Sequence, residues 1–327
     1  MRGAASLIMR SVQVPRRMGI ENLSYYLYRL AGALAPRIPP RTGYALAEQI
    51  GSLIYRTSGT RRIVEDNVAH VLELPAVSPQ VRLTAHRIFR NQLKNYYDLF
   101  RVEALSHERI RQLVRVTVCR EHLDMALTRG RGVVLVSAHF GNIDLAGQIL
   151  ALLGYRVTGV AEHLRPERLF QYVRAIRESH GLHFLPIDGS LRPVFRALHN
   201  NEIVGLALDR NVTDAGLPVE FFGLPEPMPD GYLRLALRTG ASLVVAFSRR
   251  LPDNAFEITV EPEVELERGG DDVERDIAAG QRRVIAIFER YLRRDPDQWV
   301  YFQPVWTGAE GKRRVTEAPS VLEETAR

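Results

Sequence analysis

His139 and Asp144 bound the segment HFGNID, which follows a dense apolar run and precedes a run of helical composition. The apolar run is short, rich in β-branched residues and without alternation, which is typical of a buried parallel strand. Either Asn142 or Asp144 can cap the helix that follows. His139 is therefore expected at the carboxyl end of a strand, the edge at which open α/β sheets bind ligands. A histidine there, with a carboxylate to orient it, has the form of a general base.

The spacing of this pair carries little information by itself, because the chain holds 9 histidines and 38 acidic residues. About one such pair is expected by chance, and a second one does occur, His183 with Asp188. That second pair lies along a segment expected to be extended, where each residue adds roughly 3.3 Å and the two side chains stay apart. The first pair crosses a turn that contains Gly141, which can fold the carboxylate back toward the imidazole.

The composition is that of an ordinary soluble globular protein, with 46% hydrophobic and 25% charged residues in a chain of 327. Cys119 is the only cysteine, which excludes disulfides and cysteine-rich zinc sites within the chain and fits a reducing compartment. The net charge of +6 favours an acidic partner, namely nucleic acid, an anionic membrane or an acidic carrier protein. A preference for arginine in a GC-rich genome accounts for the charge equally well.

The N-terminal region bears on membrane attachment. No uninterrupted apolar stretch reaches the roughly 18–20 residues that span a bilayer. The basic N-terminal segment, residues 1–20, has only a brief apolar core, so it is not typical of a secretory signal. The segment Tyr25–Ala35 is apolar and aromatic with arginines on either side, as in helices that lie in a membrane interface. Packing of this helix on the core is the alternative.

Two patterns of residues divide the chain, which we interpret as a single domain over residues 21–307. Residues 21–130 have the periodicity and composition of helices. Over residues 131–307 strands and helices alternate, which indicates a βαβ architecture and an α/β fold. The polar tail, residues 308–327, is expected to be disordered.

A second set of polar residues follows the strand expected at Ile203–Leu208, again at the carboxyl edge of the sheet. It begins with Asp209 and Arg210, and Glu220 comes later, between apolar residues in the sequence VEFFG. A carboxylate with buried apolar neighbours needs a charged or hydrogen-bonding partner. The alternative is a strand from which Glu220 points outward.

Taken in order, these motifs resemble those of the bacterial lipid A late acyltransferases, and equally those of the mycobacterial phosphatidylinositol mannoside acyltransferases of the same family. The motifs are His139-x4-Asp144, Asp209-Arg210, VEFFG at 219–223, Met228-Pro229 and Asp297-Gln298-Trp299. The resemblance runs from about Tyr25 to Trp306. The ordered set is far more specific than any single motif.

The resemblance implies a glycerolipid-acyltransferase-like α/β fold, in which helices flank a central, mostly parallel sheet and an N-terminal helical region precedes it. It also implies peripheral or monotopic attachment at the cytoplasmic face of the plasma (inner) membrane. The implied reaction moves a fatty acyl group from acyl-carrier protein or a coenzyme A thioester to a hydroxyl of a glycolipid, without a cofactor or a metal.

The chain departs from the lipid A enzymes in three ways. It ends the histidine motif with Asp144 where they have Glu, it differs after Gln298-Trp299, and it lacks their N-terminal transmembrane anchor. These differences leave the acceptor open between a lipid A precursor, another phosphoglycolipid such as a phosphatidylinositol mannoside, and a lysophospholipid.

The resemblance and the positions of the residues assign roles within the site. His139 takes the proton of the attacking hydroxyl. Asp144 or Glu220 holds its other ring nitrogen and favours the imidazolium, which is the orienting role of a triad without the serine. Arg177, in a helix expected at Pro166–His180, contacts a phosphate or the reacting carbonyl, with a solvated helix face as the alternative.

Five further residues are candidates for substrate binding: Asp209, Arg210, Arg165, Asn142 and Gly141. Asn142 and Gly141 would present backbone amides to the oxyanion of the tetrahedral intermediate. A role as plain turn residues is the alternative for both.

Other classes of protein lack their sequence marks in this chain. No G-x-S-x-G, Walker or G-x-G-x-x-G motif occurs, so serine hydrolases and nucleotide cofactors are not indicated. His180 and His183 have metal-ligand spacing but no acidic third ligand nearby, which argues against zinc. No nucleic-acid-binding module is recognisable, so nucleic acid is not an expected partner. A non-catalytic protein that binds anionic membranes is the alternative from another class.

Overall fold

The structure is a computed structural model that describes residues 20–118, 120–210, 216–267 and 272–306. The predictions for the basic segment 1–20 and for the tail 308–327 lie outside the described residues, apart from Ile20. Cys119 lies outside them as well.

The first part of the chain is helical, as its residue pattern predicts. Its helices are α1 (Ile20–Leu34), α2 (Pro40–Thr57), α3 (Thr60–Leu72), α4 (Pro79–Val102) and α5 (His107–Leu113). Prolines stand in the first turn of α2 and α4, where an N–H would have no partner within the helix. Gly51 lets these two helices approach closely, because a Cβ there would lie 2.8 Å from the backbone of Arg90.

Strands and helices then alternate through most of the remaining chain, which confirms the α/β prediction. In order they are β1 (Val114–Val118), α6 (Arg120–Thr128), β2 (Val133–Ser137), α7 (Ile143–Leu152), β3 (Val157–Ala161), α8 (Glu167–Glu178), β4 (His183–Pro186), α9 (Arg192–His199), β5 (Ile203–Ala207), β6 (Leu217–Phe221), β7 (Leu224–Met228), α10 (Gly231–Thr239), β8 (Ser242–Arg250), β9 (Phe256–Val260) and α11 (Val273–Arg294). A short 3₁₀ turn, Pro296–Gln298, follows α11.

Seven strands form the central sheet in the order β1-β9-β8-β2-β5-β3-β4. Every neighbouring pair is parallel except β8 with β9, which agrees with the predicted mostly parallel sheet. The strands β6 and β7 form a separate antiparallel hairpin. One β-element differs from the sequence prediction: β1 lies inside the part expected to be helical. The alternating sequence VRVTV favours a strand at this point, although the residues around it favour helices.

β2 lies in the middle of the sheet and is buried on both faces, which explains its unbroken apolar sequence. Its side chains alternate between the faces. Val134 and Val136 pack in the core with α10 and α11, whereas Leu135 packs on the opposite face with Leu150 of α7. His139 lies four residues after Leu135. Because alternate residues of a strand share a face, its side chain points toward the α7 face as that of Leu135 does.

None of the helices within the described residues is long and apolar enough to cross a membrane.

Candidate active site

His139 follows β2 at the carboxyl edge of the sheet, and its side chain is 33% exposed in a cavity beneath α7. Asp209 follows the neighbouring strand β5 at the corresponding place. Parallel pairing sets Ser137 against Ala207, so the residues two positions further along both strands lie side by side. The sheet register therefore brings together a histidine and an aspartate that are 70 residues apart in the sequence.

Asp209 is the carboxylate that orients the imidazole. Its Oδ1 lies 2.9 Å from His139 Nδ1, and its Oδ2 accepts bonds of 2.9 Å from the His139 backbone N–H and from the Trp299 indole N–H. The ionised carboxylate is an acceptor only, so in the neutral ring Nδ1 carries the proton and Nε2 keeps its lone pair. Within the part of the chain that the structure describes, Nε2 has no protein hydrogen-bond partner.

The electrostatics of the pair favour the charged forms of both groups. Burial lowers the pKa of His139, but the carboxylate of Asp209 outweighs burial and holds that pKa above its ordinary value. Burial raises the pKa of Asp209, but the imidazole and the three hydrogen bonds hold it below its ordinary value. The side chain of Asp209 is 1% exposed, so the pair acts in a site of low polarity.

The prediction that Asp144 orients the imidazole is wrong, because the partner of Asp144 is Arg177. Asp144 lies in the first turn of α7, and its Oδ1 and Oδ2 lie 2.9 Å and 3.1 Å from Nε and Nη2 of Arg177 in α8. Both side chains line the cavity near His139. Asp144 therefore holds an arginine beside the imidazole, while Asp209 takes the ring nitrogen.

Glu220 is likewise not the partner of the imidazole. It lies in β6, where Val219 and Phe221 are buried and Glu220 between them is exposed. The period of a strand explains this alternation, and the outward-pointing alternative is the one observed. Glu220 is not among the residues that line the cavity.

The loop from His139 to Asn142 is held through most of its backbone groups. The Gly141 N–H donates to the Gln298 carbonyl at 2.7 Å, so this amide is not free for an oxyanion as was expected. Gly141 has a φ of +62° and a Cβ there would meet Ser248 O at 1.5 Å, which only glycine avoids. The side chain of Asn142 accepts a bond from the Leu145 N–H and so caps α7.

A buried polar cluster from α2, α4 and β8 braces this loop from behind, and the sequence interpretation missed it. Asp98 accepts hydrogen bonds from Tyr44, Arg101 and Arg250, and Asn142 lies 3.5 Å away. Asn95 of the same helix donates to the carbonyl of Gly141. Only 2% of the Asp98 side chain is exposed, so its charge depends on the two arginines. Nothing in the local sequence marks these residues, since they lie far from His139 along the chain.

The cavity in front of His139 has a volume of about 290 Å³ and a mostly apolar wall. Leu135, Gly205 and Gly159 are neighbours in register on β2, β5 and β3, and all three line it. Gly205 has no side chain to fill the space under α7, whereas the Phe184 ring covers Gly159 and would lie 2.7 Å from a Cβ there. Leu150 and Leu182 complete the apolar part. The space suits an extended hydrocarbon chain.

Polar residues stand where the cavity reaches His139. Arg210 lines it and forms an ion pair with Glu162, which lines it too. Arg165 is exposed beside the cavity residue Leu164. Asp209, which was expected to bind substrate, is not part of the cavity wall, because its carboxylate is turned to His139 and Trp299.

Other histidines lie apart from this arrangement. His183 is exposed on β4, and Asp188 contacts His163 rather than His183. His180 Nε2 lies 2.9 Å from the Val102 carbonyl oxygen. Among the described residues, no three His, Cys, Asp or Glu side chains form a group that could hold a metal ion.

Comparison with known proteins gives concordant matches over most of the chain. Residues 13–307 match the family model described as bacterial lipid A biosynthesis acyltransferase. A phosphatidylinositol mannoside acyltransferase of Mycobacterium tuberculosis is 33% identical over 282 residues, which cover 84% of this chain and 86% of that protein. A protein of the same name from Mycolicibacterium smegmatis is 33% identical over 213 residues, covering 64% of this chain and 67% of that protein.

The substitution Asp209→Asn should lower the pKa of His139. With the carboxylate charge removed, burial is the main remaining influence and it favours the neutral ring, so the pKa should fall from above 6.5 to below it. NMR titration of the ring signals measures this, with the His139 signal assigned by its loss in His139→Asn. An unchanged pKa in Asp209→Asn would mean that the carboxylate does not control the imidazole.

The substitution Asp98→Asn should destabilise the protein by about 3–5 kcal/mol, because it leaves two buried arginines without their counter-charge. Urea unfolding measures the change in the free energy of unfolding. Glu267→Gln is the matched control, since its ion pair with Arg283 joins side chains that are 52% and 43% exposed. That control should change stability by less than about 1 kcal/mol. Equal effects of the two substitutions would contradict the bracing role.

Proposed function

The chain belongs to the bacterial lipid A biosynthesis acyltransferase family, and we propose that it transfers a fatty acyl group from an acyl thioester to a hydroxyl of a phosphoglycolipid. Membership makes the protein an acyltransferase; the donor, the base and the acceptor belong to the proposal. The observation that carries the proposal is the His139–Asp209 pair beside an apolar cavity.

The proposed reaction uses His139 as general base. The acceptor oxygen attacks the thioester carbonyl carbon while its proton passes to Nε2, and Asp209 stabilises the imidazolium through Nδ1–H. The tetrahedral intermediate then collapses, the C–S bond breaks, and the imidazolium returns the proton to the departing sulfur. The products are an ester and a free thiol, and no acyl-enzyme forms.

Two arginines held in ion pairs, Arg177 and Arg210, line the same cavity as His139 and offer N–H donors to anionic groups. Asp144 keeps the guanidinium of Arg177 beside the cavity, so Asp144 acts as a positioning residue for that arginine. Arg210 is held by Glu162 on another part of the wall, and Arg165 is exposed nearby. We assign to these arginines the binding of the acceptor phosphate and of the oxyanion. The Gly141 amide cannot bind the oxyanion, because it already donates to a carbonyl.

The cavity is the proposed site of the fatty acyl chain. Each methylene moved from water into an apolar wall contributes roughly 0.8 kcal/mol. A chain that lies along Gly159 and Gly205 has its thioester end at His139, since both glycines and the histidine border the same space.

Membrane attachment is proposed through α1. Leu23, Leu27, Leu30 and Leu34 recur along one side of this helix and are 49–56% exposed, and Tyr26 is 59% exposed. This is the reverse of an ordinary surface helix, whose exposed side is polar. Tyr28 packs against Tyr96 and Phe100. Burial raises the pKa of Tyr28, and the charges of Arg177 and Asp144 also affect this pKa, so α1 lies close to the site. Attachment to the cytoplasmic face of the membrane by this helix would present the lipid acceptor to the cavity.

A phosphatidylinositol mannoside is the acceptor that we propose first, because the Mycobacterium tuberculosis relative is named for it and aligns over most of both chains. A lipid A precursor is the second candidate, supported by the description of the family. Acyl-carrier protein and coenzyme A are both compatible donors, and both are acidic partners for a chain of net charge +6.

His139→Ala should reduce acyl transfer by about 10²–10⁴-fold, because no other group replaces the base. Radiolabelled acyl thioesters and mycobacterial or Gram-negative lipid extracts provide the assay, and mass spectrometry identifies the acylated lipid. His183→Ala is the control and should keep most of the activity, since this residue is exposed on β4. Loss of activity in both variants alike would refute the assignment, and so would a lack of any acyl lipid with the wild type.

Gly205→Val should shift the donor preference toward shorter chains. The nearest atoms to a Cβ at this position are 3.9 Å and 4.0 Å away, so a Cβ meets no close contact and the two methyl groups of valine should extend into the cavity. Excluding two methylenes corresponds to roughly a tenfold loss with the longest donor. Turnover of a short-chain donor by the same variant is the internal control. An equal loss with all chain lengths would argue against this location of the acyl chain.

Leu27→Glu combined with Leu30→Glu should weaken binding to anionic vesicles at least tenfold, because each buried leucine contributes about 1.5–3 kcal/mol. Vesicle co-sedimentation measures this, and binding of the wild type should fall as salt is added. Met125→Glu is the control, as this residue of α6 is 57% exposed but lies in another helix. Undiminished binding of the double variant would exclude α1 as the attachment surface.

A further inference from the structure

A second cleft, of about 300 Å³, adjoins the loop that carries His139. Gln298 belongs to its wall, and the carbonyl of the same residue accepts the Gly141 N–H. Five cationic side chains line this cleft: Arg87, Arg90 and Lys94 from α4, and Arg249 and Arg250 from the end of β8. The first three are spaced at i, i+3 and i+7, which places them on one face of the helix.

The carboxylates of the cleft do not neutralise this charge. Three acidic residues line it, Glu48, Asp295 and Asp297, against five cations. Glu48 is shared between Arg90 and Lys94. Arg87 is exposed and forms no ion pair with any residue that the structure describes. Arg249 and Arg250 are also paired with Glu257 and Asp98, which lie outside the wall, so the excess of positive charge lies on the α4 side of the cleft.

Arg250 adds an independent sign of a missing partner. Its side chain is 3% exposed, and its Nη2 donates to Asn95 and Asp98. Its Nε and Nη1 have no hydrogen-bond partner among the described residues, although the guanidinium carbon lies 4.5 Å from the centre of the Phe256 ring. Leaving a buried donor unpaired costs about 1–3 kcal/mol, so such groups call for a ligand or a solvent partner.

We propose that this cleft binds the phosphate group of a phosphate ester. A phosphate monoester carries close to two negative charges and three acceptor oxygens, which match the charge excess and the many N–H donors. The planar guanidinium group of arginine can donate two parallel hydrogen bonds to a phosphate, and the ammonium group of Lys94 adds a positive charge. The volume leaves space for the esterified group as well.

A phosphate bound in this cleft would also affect the loop that carries His139. Asn91, which lines the cleft, donates to the Asp297 carbonyl at 2.9 Å, and Gln298 Oε1 accepts the Arg250 backbone N–H at 2.8 Å. The same short segment supplies Trp299 to Asp209. A bound phosphate joins α4 to this segment, so it should slow hydrogen exchange of the Gly141 amide.

Calorimetric titration of the full chain with inorganic phosphate, adenosine 3′,5′-bisphosphate and inositol 1-phosphate tests the proposal without any acyl transfer. Arg87→Gln should weaken phosphate binding at least tenfold. Arg82→Gln, a neighbouring exposed arginine of α4 outside the cleft, should leave it unchanged. Tighter binding of the bisphosphate would identify a coenzyme A-type source, and tighter binding of the inositol ester a lipid head group.

Two outcomes would overturn the proposal. One is the absence of binding of all three compounds to the wild type at millimolar concentration. The other is binding that Arg87→Gln and Arg82→Gln affect equally, which would place the phosphate elsewhere, for instance at Arg177 and Arg210. Because the readout is binding, either result is distinct from a failure of the proposed acyl transfer.

Discussion

The carboxylate of Asp209 is buried at the carboxyl edge of the sheet and accepts hydrogen bonds from the His139 ring, the His139 backbone and Trp299. Each contact fixes a different degree of freedom. The ring contact selects the tautomer that leaves Nε2 open, the backbone contact sets where the loop leaves β2, and the indole contact attaches the C-terminal segment. A carboxylate at this place could not stay charged without these donors, so the pair and the surrounding fold stabilise each other.

The N-terminal helices contribute directly to the site, because their side chains hold the loop that carries His139. Asn95 and Asp98 of α4 hold the loop from the side opposite to the cavity, and Tyr44 connects the same cluster to α2. Replacing a buried ion cluster by apolar residues is often neutral or stabilising, so stability alone does not account for it. Its contacts with Gly141 and Asn142 do, because they hold the residues that place His139 and start α7.

Much of the fold and part of the site could be predicted from the sequence. The period of the apolar residues located most strands and helices, and the position of His139 followed from the strand before it. The partner of His139 could not be found in this way, because β2 and β5 are neighbours only through the strand order of the sheet. Nearness in sequence favoured Asp144, and apolar neighbours favoured Glu220, but the start of α7 directs the former to Arg177 and strand alternation exposes the latter. Asn95 and Asp98 carry no local signal at all, since their role exists only in the packed structure.

We propose that acyl transfer depends on a neutral His139 whose proton affinity Asp209 controls. The most direct measurement is the rising limb of kcat/KM against pH for transfer to a phosphoglycolipid, in the wild type and in Asp209→Asn. In the wild type the limb should lie above pH 6.5, at the pKa that NMR gives for His139, because the base must lose its proton to act. In Asp209→Asn the limb should move to lower pH while the plateau falls. A limb that stays in place in Asp209→Asn would mean that Asp209 does not control the group whose deprotonation acyl transfer requires.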